Sequence, residues 1–287
     1  MMRAITLCAD DFGMNDAVDA GILTLAHCRR INATSLLTLG PTFRDNAPAL
    51  RALPISTGLH LDLTEFVSHA PQSLARLVAR AYSRRLDARW LRSIIRRQLD
   101  AFETVMQRQP HHVDGHRHVH QLPGVRDTLM ACLQERYADS MPILRSTLRP
   151  QGVSMPVATR AKMMIIEALG AHQLLRLCQS QGVPTYGHFH GVYDFSRPSR
   201  GDADLQQHLR TRYALALRRW LADAQQGDLI MCHPADPASI RHDNSFEALR
   251  DTIAHDRIAE FVVLRSPQYK EWMKQAGVGL AVFQPVK

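Results

Sequence analysis

Short apolar runs alternate with stretches of helical periodicity at least six times along this chain, and that alternation constrains the fold more than any other feature. Residues 5–9 read as a strand, after which Val18, Ile22, Leu25 and Ala26 recur at helical spacing up to the Arg29-Arg30 pair. Strand-like runs follow at 34–39 and 55–63. Beyond an arginine-rich stretch come HHVDGHRHVH, a helix near 125–136, PILRS, and a helix from about 158 to 179 closed by Gly182 and Pro184. TYGHFHG, a helix near 205–224 and GDLIMCHP complete the series. Strands separated by helices of about ten residues or more imply parallel βαβ units. The chain has no Gly-rich dinucleotide or phosphate loop, so an α/β fold with a single TIM-like (β/α) barrel, with room for irregularity, is expected over a doubly wound sheet. A length of 287 residues suits one such domain, and no linker rich in Pro, Gly or Ser marks a boundary. Residues 1–287 therefore read as one barrel domain with an arginine-rich helical insertion at about 70–110.

Barrel strands present their chemistry at their C-terminal ends. In CADDFGMNDA the first strand ends on Asp10 and Asp11, two like charges that repel unless a cation or a shared proton compensates them. A single Asp there would serve as the cap of the helix beginning near Asn15. A pair asks for more, and a metal site answers it. Histidines fall at further strand ends: His60 in GLHLDL, His116, His118 and His120 in HVDGHRHVHQ, His188 and His190 in GHFHG, and His233 in MCHP. A lone His in such a place is more often a hydrogen-bonded rim residue than a ligand, but four strand ends with His beside an Asp pair are harder to dismiss. Mixed carboxylate and imidazole donors that leave open positions suit a hydrolytic metal site. If 116–120 stays extended, its three histidines share one face but rise along the barrel axis, so only one of them reaches a metal at the rim.

The net charge of +8 raises the question of where the excess sits. Nine arginines (Arg76, Arg80, Arg84, Arg85, Arg89, Arg92, Arg96, Arg97 and Arg108) face only Asp87, Asp100 and Glu103 in the same stretch. Leu91, Ile94, Ile95, Leu99, Phe102 and Met106 form an apolar stripe there, with Asp87 placed to cap. The stretch reads as a solvated arginine face; a platform for an anionic substrate, lipid head groups or nucleic acid is the sharper alternative, and neither interleaved aromatics nor a nucleic-acid motif supports it. Cys8, Cys28, Cys132, Cys178 and Cys232 are odd in number, scattered and free of CxxC spacing, and read as core residues. No signal-like segment precedes Asp10 and no stretch is apolar enough to span a bilayer, so a cytoplasmic protein without a transmembrane segment is expected.

ADDFGMNDAVDAGI, GLHLDLT, HVDGHRHVHQLPGV and IMCHP occur in the order and approximate spacing of the YdjC-like carbohydrate deacetylases, a family that also contains the hopanoid-biosynthesis deacetylases. The chain resembles that family from about residue 3 to beyond residue 235, with no motif broken. The resemblance implies a (β/α) barrel related to polysaccharide deacetylases, and hydrolysis of the N-acetyl group from an N-acetylhexosamine unit of a small saccharide or glycolipid. It implies one divalent metal ion on Asp11, His60 and His116, with Asp10 as general base and His233 protonating the leaving amine or stabilising the transition state. Zinc and magnesium head the candidate metals, and manganese and cobalt also suit the donors. Homodimers are common in families of this kind, but the sequence has no interface signature, and no nucleic-acid partner is expected.

Outside the motifs, Arg145 in ILRS is a candidate for binding a sugar hydroxyl or orienting Asp10, with a surface salt bridge as the plainer reading. One of His188 and His190 is a candidate substrate contact, and Asp236 belongs to the loop after His233 or caps its turn. Two other functions fit parts of the pattern: a metal-dependent barrel hydrolase of a phosphoester or cyclic amide, and a noncatalytic binder of anionic surfaces or nucleic acid through the arginine-rich helices.

Overall fold

The computed structural model describes residues 2–68, 72–195, 205–239 and 251–283. Its elements are β1 (Arg3–Phe12), α1 (Asp16–His27), β2 (Ala33–Leu36), α2 (Phe43–Asn46), β3 (Ser56–Leu61), α3 (Leu74–Tyr82), α4 (Ala88–Met106), β4 (His112–Gly115) and α5 (Val125–Tyr137). There follow β5 (Ile143–Leu144), α6 (Val157–Ala168), α7 (Ala171–Ser180), β6 (Phe189–His190), α8 (Leu205–Asp223), β7 (Leu229–Cys232), α9 (Ala254–Arg265), α10 (Pro267–Ala276) and β8 (Val278–Leu280).

Every strand pair is parallel, in the order β5-β4-β3-β2-β1-β7-β6. The lone parallel bridge Leu144↔Thr185 brings the β5 edge against the segment entering β6, so the sheet curls round on itself. The N-terminal end of β1 pairs with β8, at Arg3↔Val278, while its C-terminal half lies between β2 and β7. The outcome is the expected (β/α) barrel in irregular form, with β5 and β6 only two residues each. Ile5 and Leu7 of β1, Val18, Ile22 and Leu25 of α1 and Leu129 and Leu133 of α5 belong to one buried core cluster, so the sheet is covered by its helices. Among the described residues no helix is long and apolar enough to cross a membrane.

Local chemistry explains several boundaries. Asn15, not either Asp of the pair, caps α1: its Oδ1 accepts the Val18 N–H at 3.0 Å. Asp87 caps α4 by accepting from the Arg89 and Trp90 N–H groups, and the stripe from Leu91 to Met106 is buried beneath it. Arg92 and Arg96 reach out from α4 to Glu135 on α5, as a solvated arginine face does.

Three expectations fail for identifiable reasons. The helix read at 158–179 is two helices, because Gly170 adopts φ of 128° and packs so tightly on the Gln121 carbonyl that a Cβ would sit 2.2 Å from that oxygen. Cys28 is not in the core; it is exposed at the C-cap of α1, just beyond the helix's buried face. The His116–Gln121 segment is not extended but a tight 3-10 turn, with Arg117 and His118 both in the left-handed region at φ of 53° and 60°.

Candidate active site

In a regular strand, Asp10 and Asp11 would point to opposite faces of the sheet. The pairing of β1 with β2 slips between Ala9 and Phe12, and Asp11 takes φ of 74°. This bulge turns both carboxylates into a cavity of about 270 Å³ at the C-terminal rim, which His60, His116, His118 and His233 also line. A non-glycine residue in the left-handed region costs on the order of 1–3 kcal/mol and persists only where its surroundings over-determine it. They do so here: the Gly13 N–H donates to Asp19 Oδ1 at 2.6 Å, and Asp19 also receives Thr42 and Asn46, so the β1–α1 loop is tied down.

Register sets the next layer. On the β3–β4 pair, His60 lies opposite Asp114, and its Nδ1 donates to Asp114 Oδ1 at 2.5 Å. That bond fixes the ring so that Nε2 faces Asp11 Oδ1 at 3.3 Å. His116, entering from the turn after β4, places its Nδ1 2.9 Å from the same oxygen, with the two imidazoles edge to face. Burial alone would lower the pKa of His60, but the charges of Asp114 and Asp10 and its hydrogen bonds raise it to about 10. The field that draws a proton to His60 would equally draw a metal cation.

Among the described residues, Asp10, Asp11 and Asp114 are opposed by two guanidiniums, Arg145 and Arg257. Among the described residues, three buried sets have the spacing to hold an ion, namely Asp11-His60-His116, Asp10-His60-Asp114 and Cys8-His112-Asp114. Arg145 decides between them, because its guanidinium already bonds Cys8, Asp10 and Asp114. Asp11, His60 and His116 are the set left for a cation, and a carboxylate with two imidazoles, one oriented by a carboxylate behind it, is a fitting donor group for a divalent metal.

The pairing Ala9↔Cys232 puts Asp10 on β1 level with His233 at the end of β7. His233 is held by its backbone N–H, which donates to Glu260 Oε2 at 2.5 Å; its Nδ1 is buried with no partner among the described residues. Burial lowers its pKa to about 4, with Arg257 and His60 pushing the same way against Asp11 and Asp10.

The structure thus gathers Asp10, Asp11, His60, His116 and His233 around one cavity and leaves the three weaker candidates outside its walls. Arg145 is fully buried behind the cavity, so it makes no surface ion pair; it forks Asp10, the arrangement that orienting that carboxylate requires. His190 is buried against Asp228, with Nε2 3.0 Å from Oδ2, and His188 bonds the same carboxylate by its backbone. Neither lines the cavity: His190 on β6 and His188 just before it both turn toward Asp228, the residue before β7. Asp236 lies in the loop after His233, where its carboxylate accepts the Ala238 N–H at 2.9 Å and caps the turn.

Sequence reasoning missed Asp114, although HVDG contains it, and missed Arg257 and Glu260 on α9, which no motif flags. It also missed Phe66 and Phe195, aromatic walls of the cavity, and Lys162. Phe66 is presented by an Asp62-capped turn whose carboxylate receives the N–H groups of Thr64, Glu65 and Phe66.

A family profile described as "YdjC-like protein" matches residues 4–275. The chain belongs to the YdjC-like family. Its relatives in that direction include the mouse carbohydrate deacetylase, 26% identical, with 96% of this chain and 92% of that protein covered. The chitooligosaccharide deacetylase of Enterobacter sp. strain 638 is 24% identical over 99% of both chains. Among solved structures, an Enterococcus faecalis protein described as a cellobiose-phosphate cleavage protein superimposes with a TM-score of 0.61 at 20% identity, covering 98% of this chain and 97% of that one. That likeness concerns the fold alone.

Proposed function

We propose that this protein is a metal-dependent hydrolase that removes the N-acetyl group from an N-acetylhexosamine unit of a small saccharide or glycolipid. One observation carries the reading: Asp11, His60 and His116 converge on a common point, with a second carboxylate, Asp10, and a partly exposed imidazole, His233, on the strands alongside. The names of the mouse and Enterobacter relatives support it.

An acetamide is a poor electrophile with a poor leaving group, so its hydrolysis needs an activated water, a place for the oxyanion and a proton for nitrogen. A divalent ion on Asp11, His60 and His116 would supply Lewis acidity to the acetyl oxygen and lower the pKa of a neighbouring water. Two imidazole nitrogens in three donors favour zinc over magnesium.

Asp10 accepts the proton of the attacking water: its oxygens are fixed by Arg145, yet each keeps a lone pair free. His233 rests neutral, so it can give nitrogen a proton only after taking one up. The negative charge that builds on the acetyl oxygen during water attack raises its proton affinity, the proton that Asp10 draws from the water passes to it, and it hands that proton to nitrogen as the C–N bond breaks. Phe66 and Phe195 offer apolar faces to a pyranose ring or to the acetyl methyl.

The test is acetate release from N-acetylglucosamine, chitobiose, longer chito-oligosaccharides and an N-acetylglucosaminyl lipid, with metal-stripped protein and added divalent ions. Metal-dependent acetate supports the proposal. Phosphoester or cyclic-amide cleavage with no acetate from any sugar would replace it.

A further inference from the structure

Asp11 has a partner that a metal ligand does not require. While its Oδ1 faces the two imidazoles, its Oδ2 accepts a 2.7 Å hydrogen bond from Nη2 of Arg257, a residue 246 positions later in the chain. Arg257 is 2% exposed, yet it lines the same cavity. Its Nε donates to Asp251 Oδ2 at 2.6 Å, so the planar guanidinium is clamped between two carboxylates, and its Nη1 has no partner among the described residues. The Arg257 carbonyl also accepts the Ala235 N–H at 3.1 Å, which locks α9 to the loop that follows His233.

A buried guanidinium against a metal-binding carboxylate is costly, because its charge repels the metal. Its geometry shows what it does in return. A carboxylate with both oxygens free can close on a metal with two bonds; one whose second oxygen is held by a fixed fork cannot.

We propose that Arg257 is a positioning residue that makes Asp11 a one-oxygen ligand, keeping coordination positions open for water and the acetyl oxygen. The inference rests on the proposed metal site. Asp251 is part of the device, since it holds the guanidinium in the plane that meets Oδ2. The strained backbone of Asp11 belongs to it as well, because the bulge directs Oδ1 and Oδ2 to different partners.

The experiment is titration of the metal-stripped full-length protein with Co(II), read by calorimetry and by visible absorption, for the wild type, Arg257→Gln, Arg257→Lys and Asp251→Asn. Removing the cation from Asp11 relieves a like-charge repulsion, so Arg257→Gln should bind Co(II) about tenfold or more tightly. Its visible bands should weaken and shift as the second oxygen enters the shell, and turnover should fall. Arg257→Lys, which restores the charge without the fork, should return the affinity toward wild type. Asp251→Asn leaves Arg257 in place but unclamped, and should shift the bands in the same direction should Arg257→Gln not fold.

Wild-type bands in both Arg257→Gln and Asp251→Asn would overturn the inference; so would weaker binding with an unchanged spectrum, the signature of a structural role alone. If the wild type takes up no Co(II), or Asp11→Asn takes it up equally well, the metal-site reading has failed instead.

Discussion

Arg145 grips both oxygens of Asp10, with Nη1 to Oδ2 at 2.6 Å and Nη2 to Oδ1 at 2.7 Å, and its Nη2 also bonds Asp114. Asp114 in turn orients His60. One guanidinium therefore couples the proposed base to a proposed metal ligand, and the coupling is buried. Breaking a buried pair by deleting one partner costs about 3–5 kcal/mol, because the other charge stays buried and alone. Arg145→Ala should lower stability by about that amount in urea unfolding. Arg145→Lys keeps the charge and loses the fork, so it should retain more stability while turnover still falls.

His233→Ala should lower turnover by about 10²–10⁴, the range of a lost general acid, with metal content unchanged. Elemental analysis of the purified variant checks it, and loss of the metal would reassign His233 as a ligand.

Buried titratable groups set opposite pH limits. Burial, aided by Arg145 and opposed by Asp114, lowers His112 from 6.5 to about 3. It sits neutral between Ser35 and Ser56. As pH falls below 6.5 the unfolded chain takes up this proton and the folded one does not, so stability is full above 6.5 and declines toward about 3. Glu260 acts the other way: burial outweighs its hydrogen bonds to His233 and Tyr193 and raises it from 4.5 to about 8. The folded carboxyl keeps its proton where the unfolded one has lost it, so stability declines as pH rises from 4.5 toward about 8. Urea unfolding across that range should show His112→Asn flattening the acid limb and Glu260→Gln flattening the neutral one.

A Cβ at Gly58 would fall 2.3 Å from the His112 ring. Gly58→Ala should therefore cost about 1–3 kcal/mol by overpacking, with no change in charge. Thermal unfolding against the wild type measures it; an unchanged melting temperature would mean that the ring has room to move.

The alternation of apolar runs and helical stretches made the barrel legible, because most of its strands are short, buried and followed by a helix. Asp10, Asp11, His60, His116 and His233 were legible as one group because strand ends meet at one rim. What stayed hidden depends on backbone geometry or on tertiary contact. Spacing alone could not show that 116–121 coils into a 3-10 turn, which brings His116 to Asp11 and buries His120 against the Arg145 carbonyl. Arg257 looks like one more surface arginine in a chain with 35 basic residues, and only its burial against Asp11 distinguishes it. His188 and His190 lie away from this cavity for the converse reason: a strand-end pattern does not say which way a two-residue strand and the residue before it face.

The most direct test compares Asp10→Asn with Asp11→Asn, measuring bound metal and acetate released from chito-oligosaccharides in the same preparations. The expected result is a split: Asp10→Asn keeps one metal per chain and loses turnover by about 10²–10⁴, while Asp11→Asn loses the metal and the turnover together. Asp11→Asn retaining its metal, or Asp10→Asn retaining its turnover, would contradict the division of labour between the two adjacent carboxylates.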